Sequence, residues 1–519
     1  MTVKKLWETI KGAKQTVSVK ELALDHVFEQ LNKTGTGPAK PLAIGVDISL
    51  WLHHFQARFA AGHLQSGYCP EVRGLFLRLA IYFNLAVHLV LVEDGSQRPA
   101  YKREKEVRTC PHWLTEAARE ISESMGFTWH VAPGEAEAEL ARLNALGLIQ
   151  AVLTDDGDAW LFGARTVLRN PDECNKRSNA DMKTSMYKVT AVEETLTGGR
   201  STVPFKAALL LFVLLCGCDY STKGLEGCGA ATSLGLISYH DLVEPLLTFF
   251  RRLWHADDPT IISTLLAWRT RLITYLSEDP LRNLKYRQPK VASKVPKDFP
   301  QIEVINSLVH PVVSSDATLR TKFRDLQRGV KFLNMDVPRL VGVLQDLLKL
   351  KTDGELRKQM GRANVWQGMG LRQLLDHIGE RNTQSNTRKT TVLTSTRFRN
   401  ASQSQSKRPS LGKRGQLKKM GGWTHTRVDV TYRFAGSASA RPVTEHAETV
   451  WLPDQAVQRA EQRFVDHISL PLVAPSVASC RCRSAASGEP MAGPSNHRTR
   501  ETIDLTGEDE TVIDLTSDD

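Results

Sequence analysis

The 519-residue sequence predicts an α/β fold, with a mostly parallel central sheet wrapped by helices, a helical extension and a small C-terminal β-plus-helix module. Three observations predict it. Between residues 41 and 219, short strand-like runs alternate with helical stretches, the order that builds parallel sheets. Acidic residues fall at the ends of those predicted strands, the edge where such sheets carry their sites. Beyond residue 420, WTHTRVDVTYRF alternates with a period of two, and ETVWLPDQAVQRAEQRFVDHI reads as a strand followed by a helix beginning near Pro453.

Taken in order, the first strand is LAIGVDI, with Asp47 at its end. A helix over 71–86 leads to VHLVLVEDG, a buried strand closing on Asp94. A second helix over 134–147 leads to AVL, 151–153, which suits a fully buried strand and stops abruptly in LTDDGDAWLFGA. If extended geometry continues there, Asp156 and Asp158 share one face and Asp155 points the other way. Two carboxylates on one side repel each other, so something positive must hold them or one must take up a proton. A solvated turn is the alternative, since Asp and Gly are common turn residues.

FKAALLLFVLLC, 205–216, is apolar enough for a buried helix, and Asp219 lies just past it. Residues 240–350 read as helical, with SLVHPVV as an extended interruption. The stretch 383–419 is polar, basic and short of core residues, which predicts a disordered linker or insertion. From about 471 onward Ser, Ala, Pro and Gly dominate, and order is expected to fade.

The net charge of +11 points toward nucleic acid, because lysines and arginines that meet phosphates release counterions. Its distribution says more: 381–420 is almost purely basic and polar, whereas the last twenty residues are acidic. No apolar run approaches the roughly 18–20 residues of a membrane span, and MTVKKLWETIKGAKQ lacks the apolar core of a secretory signal. An intracellular protein without membrane partners is expected. The eight cysteines are scattered, and neither Cys216/Cys218 nor Cys480/Cys482 has zinc spacing, so reduced thiols and no structural zinc are predicted.

Asp47, Asp94, Glu135, Glu137, Asp156, Asp158 and Asp219 come from well-separated segments of one sheet-based domain. Such a cluster needs cations, and hard oxygen ligands suit Mg²⁺ or Mn²⁺. Two such ions about 4 Å apart activate a water and stabilise the leaving 3′-oxygen of a phosphodiester. The glutamates are ambiguous: in APGEAEAEL, helical spacing pairs Glu135 with Glu139 better than with Glu137. Glu135 and Glu137 both point inward only from the helix's first turn, where the positive end of the dipole favours acids.

GVDISLW, LVEDG, APGEAEAEL, LTDDGDAWLFGA and LLCGCDYSTKGLEGCG, in that order, resemble the motifs of the flap-endonuclease/XPG superfamily of structure-specific nucleases, most closely its eukaryotic (fungal-type) Holliday-junction resolvase branch. The resemblance covers about residues 3–380. It implies a PIN-like nuclease core in two parts, 1–130 and 131–215, then a helix-two-turn-helix element and helical extension over 216–350. A chromodomain-like module over 351–470, carrying the insertion 383–419, and a tail over 471–519 complete the chain. The resemblance implies that the seven acids hold two Mg²⁺ ions, with Mn²⁺ as a substitute, and it leaves Asp155 and Glu139 outside the site.

In YKREKEVR, Lys102 resembles the family's active-site lysine, and Arg103 or Arg108 would neutralise charge on the phosphoryl oxygens; a solvated helix face is the alternative for Arg108. KGLEGCG places Gly224, Gly227 and Gly229 beside Lys223 in a tight turn, where backbone N–H groups approach a phosphate unobstructed. In the family the corresponding element grips duplex DNA, often with a monovalent cation such as K⁺. The superfamily usually begins Met-Gly, whereas Thr2 stands here, and a longer spacer, at about residues 25–40, precedes the first strand. Glu93 replaces the apolar residue that usually precedes the second motif's aspartate.

The activity implied is Mg²⁺-dependent incision of branched DNA, four-way junctions first and 5′ flaps second, leaving a 5′ phosphate and a 3′ hydroxyl. Only 41 positions separate Asp94 from Glu135, too few for the long arch that threads a free 5′ end. Paired nicks imply a second copy of the chain on the junction. A catalytically silent branched-DNA scaffold is the rival reading. KRPSLGKRGQLKK, 407–419, reads as a nuclear import signal. IDLT occurs at 503–506 and again at 513–516 of the alternation TVIDLTSDD, each followed by acids. Ile503, Leu505, Val512, Ile513 and Leu515 thereby resemble SUMO-interacting motifs, which add one strand to a partner's sheet edge.

Overall fold

The structure, a computed structural model, describes residues 5–34, 40–59, 68–99, 101–102, 105–107, 110–170, 182–200, 202–329, 332, 334–380, 393–400, 417–420, 422–434, 444–461 and 468–473. Its centre is a seven-stranded sheet of β1 (Gln15–Ser18), β2 (Leu42–Asp47), β3 (Val87–Glu93), β6 (Thr128–Val131), β7 (Ala151–Leu153), β8 (Thr166–Leu168) and β9 (Lys183–Lys188). Two further short strands, β4 (Tyr101–Lys102) and β5 (Lys105–Glu106), form a separate ribbon. The order across the sheet is β1-β9-β8-β7-β2-β3-β6. Five strands, from β8 to the edge strand β6, are parallel, and β9 and β1 extend the opposite edge through antiparallel pairings.

This order fixes where a site can form. From β2 the chain moves to β3 and β6 on one side, then returns to β7 and β8 on the other, so the connections diverge between β2 and β7. A crevice opens at the carboxyl ends of strands at such a reversal. Every residue of β2 is buried, as expected of a parallel strand covered on both faces. Gly45 leaves no room for a side chain: a Cβ there would meet Leu140 at 2.4 Å and Ile149 at 2.5 Å. The helix Ala136–Ala145 therefore seats directly on β2.

Most predicted elements appear within a few residues: helices Pro70–Asn84, Ala136–Ala145 and Phe205–Cys216, with strands β2, β3 and β7. Three expectations need correction. The spacer at 25–40 is largely the helix Val19–Thr34, which follows β1 and buries Ala23, Leu24, Val27 and Phe28. The interruption SLVHPVV begins only at His310, because its first three residues complete the helix Ile302–Val309. Within the expected disordered insertion 383–419, Leu393–Asn400 (β10) and Leu417–Met420 (β11) are strands, held by pairing with distant partners. Thr394, Thr396 and Phe398, spaced two apart in LTSTRFRN, have the side-chain types that favour strands. The rest of that insertion lies outside the described residues.

β10 and β11 join β12 (Trp423–Phe434), β13 (Thr444–Pro453) and β14 (Ile468–Val473) in an antiparallel five-stranded sheet. The helix Asp454–Glu461 starts directly after Pro453. This sheet and helix are fastened to the body built on the seven-stranded sheet. Trp423 stacks on Phe28 at 4.7 Å and donates its indole N–H to Asp25, while Gln367 exchanges two hydrogen bonds with the backbone of Trp451. Among the described residues no helix is long and apolar enough to cross a membrane, and Cys69, Cys110, Cys216, Cys218 and Cys228 are free thiols. Thr2, the basic segment 407–416, Cys480/Cys482 and the paired IDLT segments lie outside the described residues.

Candidate metal centre

The crevice collects all seven acids. Asp47 closes β2, and its Oδ1 accepts the Ser49 N–H at 2.9 Å; the Ser49 hydroxyl donates to Asp94 Oδ2 at 3.2 Å. Asp94, just past β3, also accepts the Ala136 N–H at 2.9 Å, so the first turn of the glutamate helix is pinned to the neighbouring strand end. Arg98 pairs with Asp94 at 3.2 Å.

Where the helix starts resolves the glutamate ambiguity. Glu135 is its N-cap, in extended conformation with φ −77° and ψ 135°, and Glu137 is in its first turn. Because Glu135 precedes the helical geometry, its side chain does not follow the helical spacing and both glutamates reach the crevice. Glu139 turns away, accepting from His130 and from the Ser314 N–H, each at 2.8 Å. Burial pushes the Glu139 carboxyl up, but those hydrogen bonds hold it below its ordinary value.

At the end of β7 the extended geometry does not continue. Gly157 is helical and Asp158 opens a short 3₁₀ turn through Trp160. Asp156 and Asp158 converge because the Asp158 N–H donates to Asp156 Oδ1 at 3.0 Å, while the Asp156 N–H donates to the Thr154 hydroxyl. Thr154 in turn donates to Glu137 at 3.3 Å. Carboxylate oxygens of Asp156, Asp158 and Asp219 all lie within 4.8 Å of one another. Asp155 points away from them, held by Arg169 and Asn170.

Lys102 is a second cation within this group, beside Arg98, at 2.8 Å from Glu135 and 3.5 Å from Asp219. Burial works against its charge, yet Glu135, Glu137 and Asp219 raise its pKa. Tyr220 donates its hydroxyl to the other oxygen of Glu135, and burial plus that carboxylate raise the phenol. The carboxyls remain strained electrostatically. Burial, reinforced by Asp94, pushes Asp47 up to about 7. Burial, with Asp156 as the next cause, raises Glu137 and Asp158 well above the ordinary carboxylate range, and burial also raises Asp156.

Asp158 is 1% exposed, and its Oδ1 has no hydrogen-bond partner among the described residues. A buried carboxylate oxygen left without a donor is costly unless a cation meets it. The donor set is all oxygen, which suits Mg²⁺ or Mn²⁺ and not a soft metal.

Past Asp219, the predicted glycine turn lies between the helices Phe205–Cys216 and Ala230–Ile237. Gly224 and Gly227 take φ of +57° and +84°, which favours glycine, and a Cβ at Gly224 would lie 2.5 Å from the Gly217 nitrogen. Gly229 has an ordinary φ of −97° and caps the second helix, with open space where a Cβ would stand. Lys223 is exposed beside them. Arg103 and Arg108 lie outside the described residues. The sequence had not singled out Ser49, Arg98, Thr154 or Tyr220. Ser49, two residues after an aspartate, had a local turn signature, whereas Tyr220 reaches Glu135 only through the fold.

Residues 126–219 match the XPG I-region. Flap endonuclease GEN homolog 1 of Mus musculus is 30% identical over 256 residues, covering 46% of this chain and 25% of that protein. The Homo sapiens protein of the same name is 30% identical over 263 residues with the same coverage. The chain thus spans about a quarter of the length of these relatives. The structure of the Holliday junction-resolving enzyme GEN1 in complex with product DNA and Mg²⁺ superposes with a TM-score of 0.57 at 21% identity, covering 88% of this chain and 96% of that one. The junction-resolving enzyme GEN-1 binding with potassium gives 0.58 at 21% identity with the same coverage. At that identity the likeness is one of fold.

Proposed function

We propose that the chain, whose residues 126–219 match the XPG I-region, is a Mg²⁺-dependent, structure-specific DNA endonuclease of the XPG/flap-endonuclease superfamily that resolves four-way junctions, with 5′ flaps as a second substrate. The observation that carries this reading is the oxygen-only crevice, where buried carboxylates converge around a partnerless Asp158 oxygen. Asp156, Asp158 and Asp219 would hold one ion, and Asp47, Asp94, Glu135 and Glu137 a second. When bound, the ions supply an activated water and stabilise the charge on the leaving 3′-oxygen.

The chain's own groups do the rest. Ser49 and the Ala136 N–H hold Asp47 and Asp94 in place, and Tyr220 and Lys102 orient the two oxygens of Glu135. Lys102 stands ready to pair with a phosphoryl oxygen as negative charge grows there. Incision leaves a 5′ phosphate and a 3′ hydroxyl. Lys223, Gly224, Gly227 and Gly229 grip the phosphates of a duplex arm, and K⁺ belongs at this turn, in keeping with the potassium-bound structure of similar fold.

The favoured substrate follows from the approach to the crevice. Between Asp94 and Glu135 the described residues form only the β4–β5 ribbon, the ten-residue helix Thr115–Ser124 and β6. An opening without a long helical arch fits a junction, which has no free end to thread. Two opposed nicks require a second copy of the chain on the junction. The module over 351–470 adds a further grip on DNA.

The deciding experiment is cleavage of end-labelled four-way junctions, 5′ flaps and plain duplex with Mg²⁺ at several salt concentrations. Junctions cut by paired nicks are expected. Tight binding without incision would leave a branched-DNA scaffold instead. Nuclear residence rests on the basic segment 407–419, so neutralising Lys407, Arg408, Lys413 and Arg414 should shift the protein to the cytoplasm. The paired IDLT segments are read as SUMO-binding. Changing Ile503, Leu505, Ile513 and Leu515 to Ala in a peptide of 498–519 should abolish its preference for chained over single SUMO.

A further inference from the structure

Asp155 is the aspartate of LTDDGD that the crevice leaves out, yet it is tied down more firmly than a surface acid needs to be. Arg169 Nε donates to its Oδ1 and Asn170 Nδ2 to its Oδ2, each at 2.9 Å. Its carbonyl oxygen accepts the Trp7 indole N–H at 2.8 Å. The Arg169 guanidinium lies 4.9 Å from the centre of the Trp7 ring, so the three residues fix one another. Asn170 extends the connection, because its Oδ1 accepts from Arg78 at 3.1 Å and from the Trp51 indole at 3.4 Å.

Trp51 sits on the helix that begins directly after Asp47, and Arg169 and Asn170 follow β8. Asp155, through its carboxylate and its carbonyl, thus joins the N-terminal segment, the helix Ile48–Phe59 by way of Asn170, and the β8 end to the peptide next to Asp156. On the opposite side of the same backbone, the Thr154 N–H donates to Leu168 O at 3.0 Å and its hydroxyl accepts the Asp156 N–H. The turn that aims Asp156 and Asp158 is held from both sides.

We propose that Asp155 is a positioning residue for the metal-holding aspartates, its carboxylate locking the 154–156 backbone so that Asp156 and Asp158 converge on the same ion. The inference rests on reading the crevice as a Mg²⁺ centre. A merely structural ion pair would behave differently. Asp155 and Arg169 are about two-fifths exposed, with side chains 43% and 38% accessible, and such a pair adds little to global stability. Groups that orient metal ligands instead change metal affinity by roughly 10- to 100-fold.

The test compares wild type, Asp155→Ala, Asp155→Asn and Arg169→Met as full chains. Mg²⁺ binding is measured by calorimetry without DNA, and the Mg²⁺ concentration for half-maximal junction cleavage is measured in parallel. Asp155→Ala and Arg169→Met should each weaken Mg²⁺ binding about tenfold or more and raise the Mg²⁺ requirement by the same factor. Thermal midpoint and metal-free junction affinity should stay at wild-type values. Asp155→Asn, which keeps an acceptor for Arg169 but not for Asn170, should fall between. The double variant Asp155→Ala/Arg169→Met should be no worse than either single change.

Wild-type Mg²⁺ affinity in the folded single variants would overturn the proposal. If Asp155→Ala lowers the thermal midpoint, Asp155→Asn and Arg169→Met carry the comparison, and unchanged Mg²⁺ binding in both overturns it equally. A wild-type chain that binds no Mg²⁺ would instead overturn the metal reading of the crevice, and this inference with it.

Discussion

Lys102 donates to Glu135 across 2.8 Å, tying the β4–β5 ribbon to the residue that opens the glutamate helix. The contact places the group's lysine at the junction of two acid-bearing segments, since the same ammonium lies 3.5 Å from Asp219. Lys102→Ala should lower the single-turnover cleavage rate by about 10²- to 10³-fold, the scale of removing one fixed donor from developing charge. It should also lower the thermal midpoint in EDTA more than in Mg²⁺, because only the metal-free crevice depends on the lysine for compensation. Equal losses in both conditions would assign Lys102 a structural role alone.

The raised carboxyl pKa values make a signed prediction. Asp47 is displaced from an ordinary value of 3.8 to about 7. A carboxyl whose folded pKa exceeds its unfolded value binds more protons folded, so its contribution to stability is full below about pH 4 and is lost as pH rises through about 7. In the proposed centre, Mg²⁺ would take over the role of those protons. Its effect on the thermal midpoint should therefore be small at pH 5.5 and reach several degrees at pH 8. Thermal unfolding with Mg²⁺ or EDTA at each pH measures it, and a shift independent of pH would contradict the electrostatic picture.

Asp158→Asn removes one acid from a site where Asp156 is its strongest repelling neighbour. Cleavage should fall by at least about 10²-fold while junction binding in EDTA stays near wild type. The same change relieves repulsion, so the metal-free variant should melt higher than the metal-free wild type. A variant that still cuts at wild-type rate would remove Asp158 from the site.

At the glycine turn, position 224 combines φ +57° with no room for a side chain. Gly224→Ala should displace the turn and weaken junction binding severalfold without changing Mg²⁺ affinity. Lys223→Ala, an exposed change, should leave the fold intact and reduce the slope of log affinity against log salt by about one, as expected for one lost phosphate contact. An unchanged slope would place the DNA path elsewhere.

The positions of the acids were legible because β-branched and leucine-rich runs stop at them, and a parallel sheet exposes those ends at one edge. How they converge was not. Local periodicity expected Asp156 and Asp158 to share a strand face, whereas a 3₁₀ turn at Gly157–Asp158 brings them together. The glutamate ambiguity had the same origin: helical spacing cannot say which residue is the cap, and Glu135 is the cap. Contacts such as Lys102–Glu135 and Tyr220–Glu135 join segments 33 and 85 residues apart and leave no local trace. β10 and β11 were missed because their strand geometry depends on partners far along the chain.

The stacking of Trp423 on Phe28 closes a circuit through the folded chain, with the Trp423 indole bonded to Asp25, 398 positions away. A circuit of that kind survives being opened once. A single cut between β10 and β11 would leave two fragments still joined by the β10–β12 ladder, by Gln367 and Trp451, and by the Trp423 clamp. The two halves, expressed separately, are expected to find each other and restore one particle, and Trp423→Ala is the change that should separate them most readily.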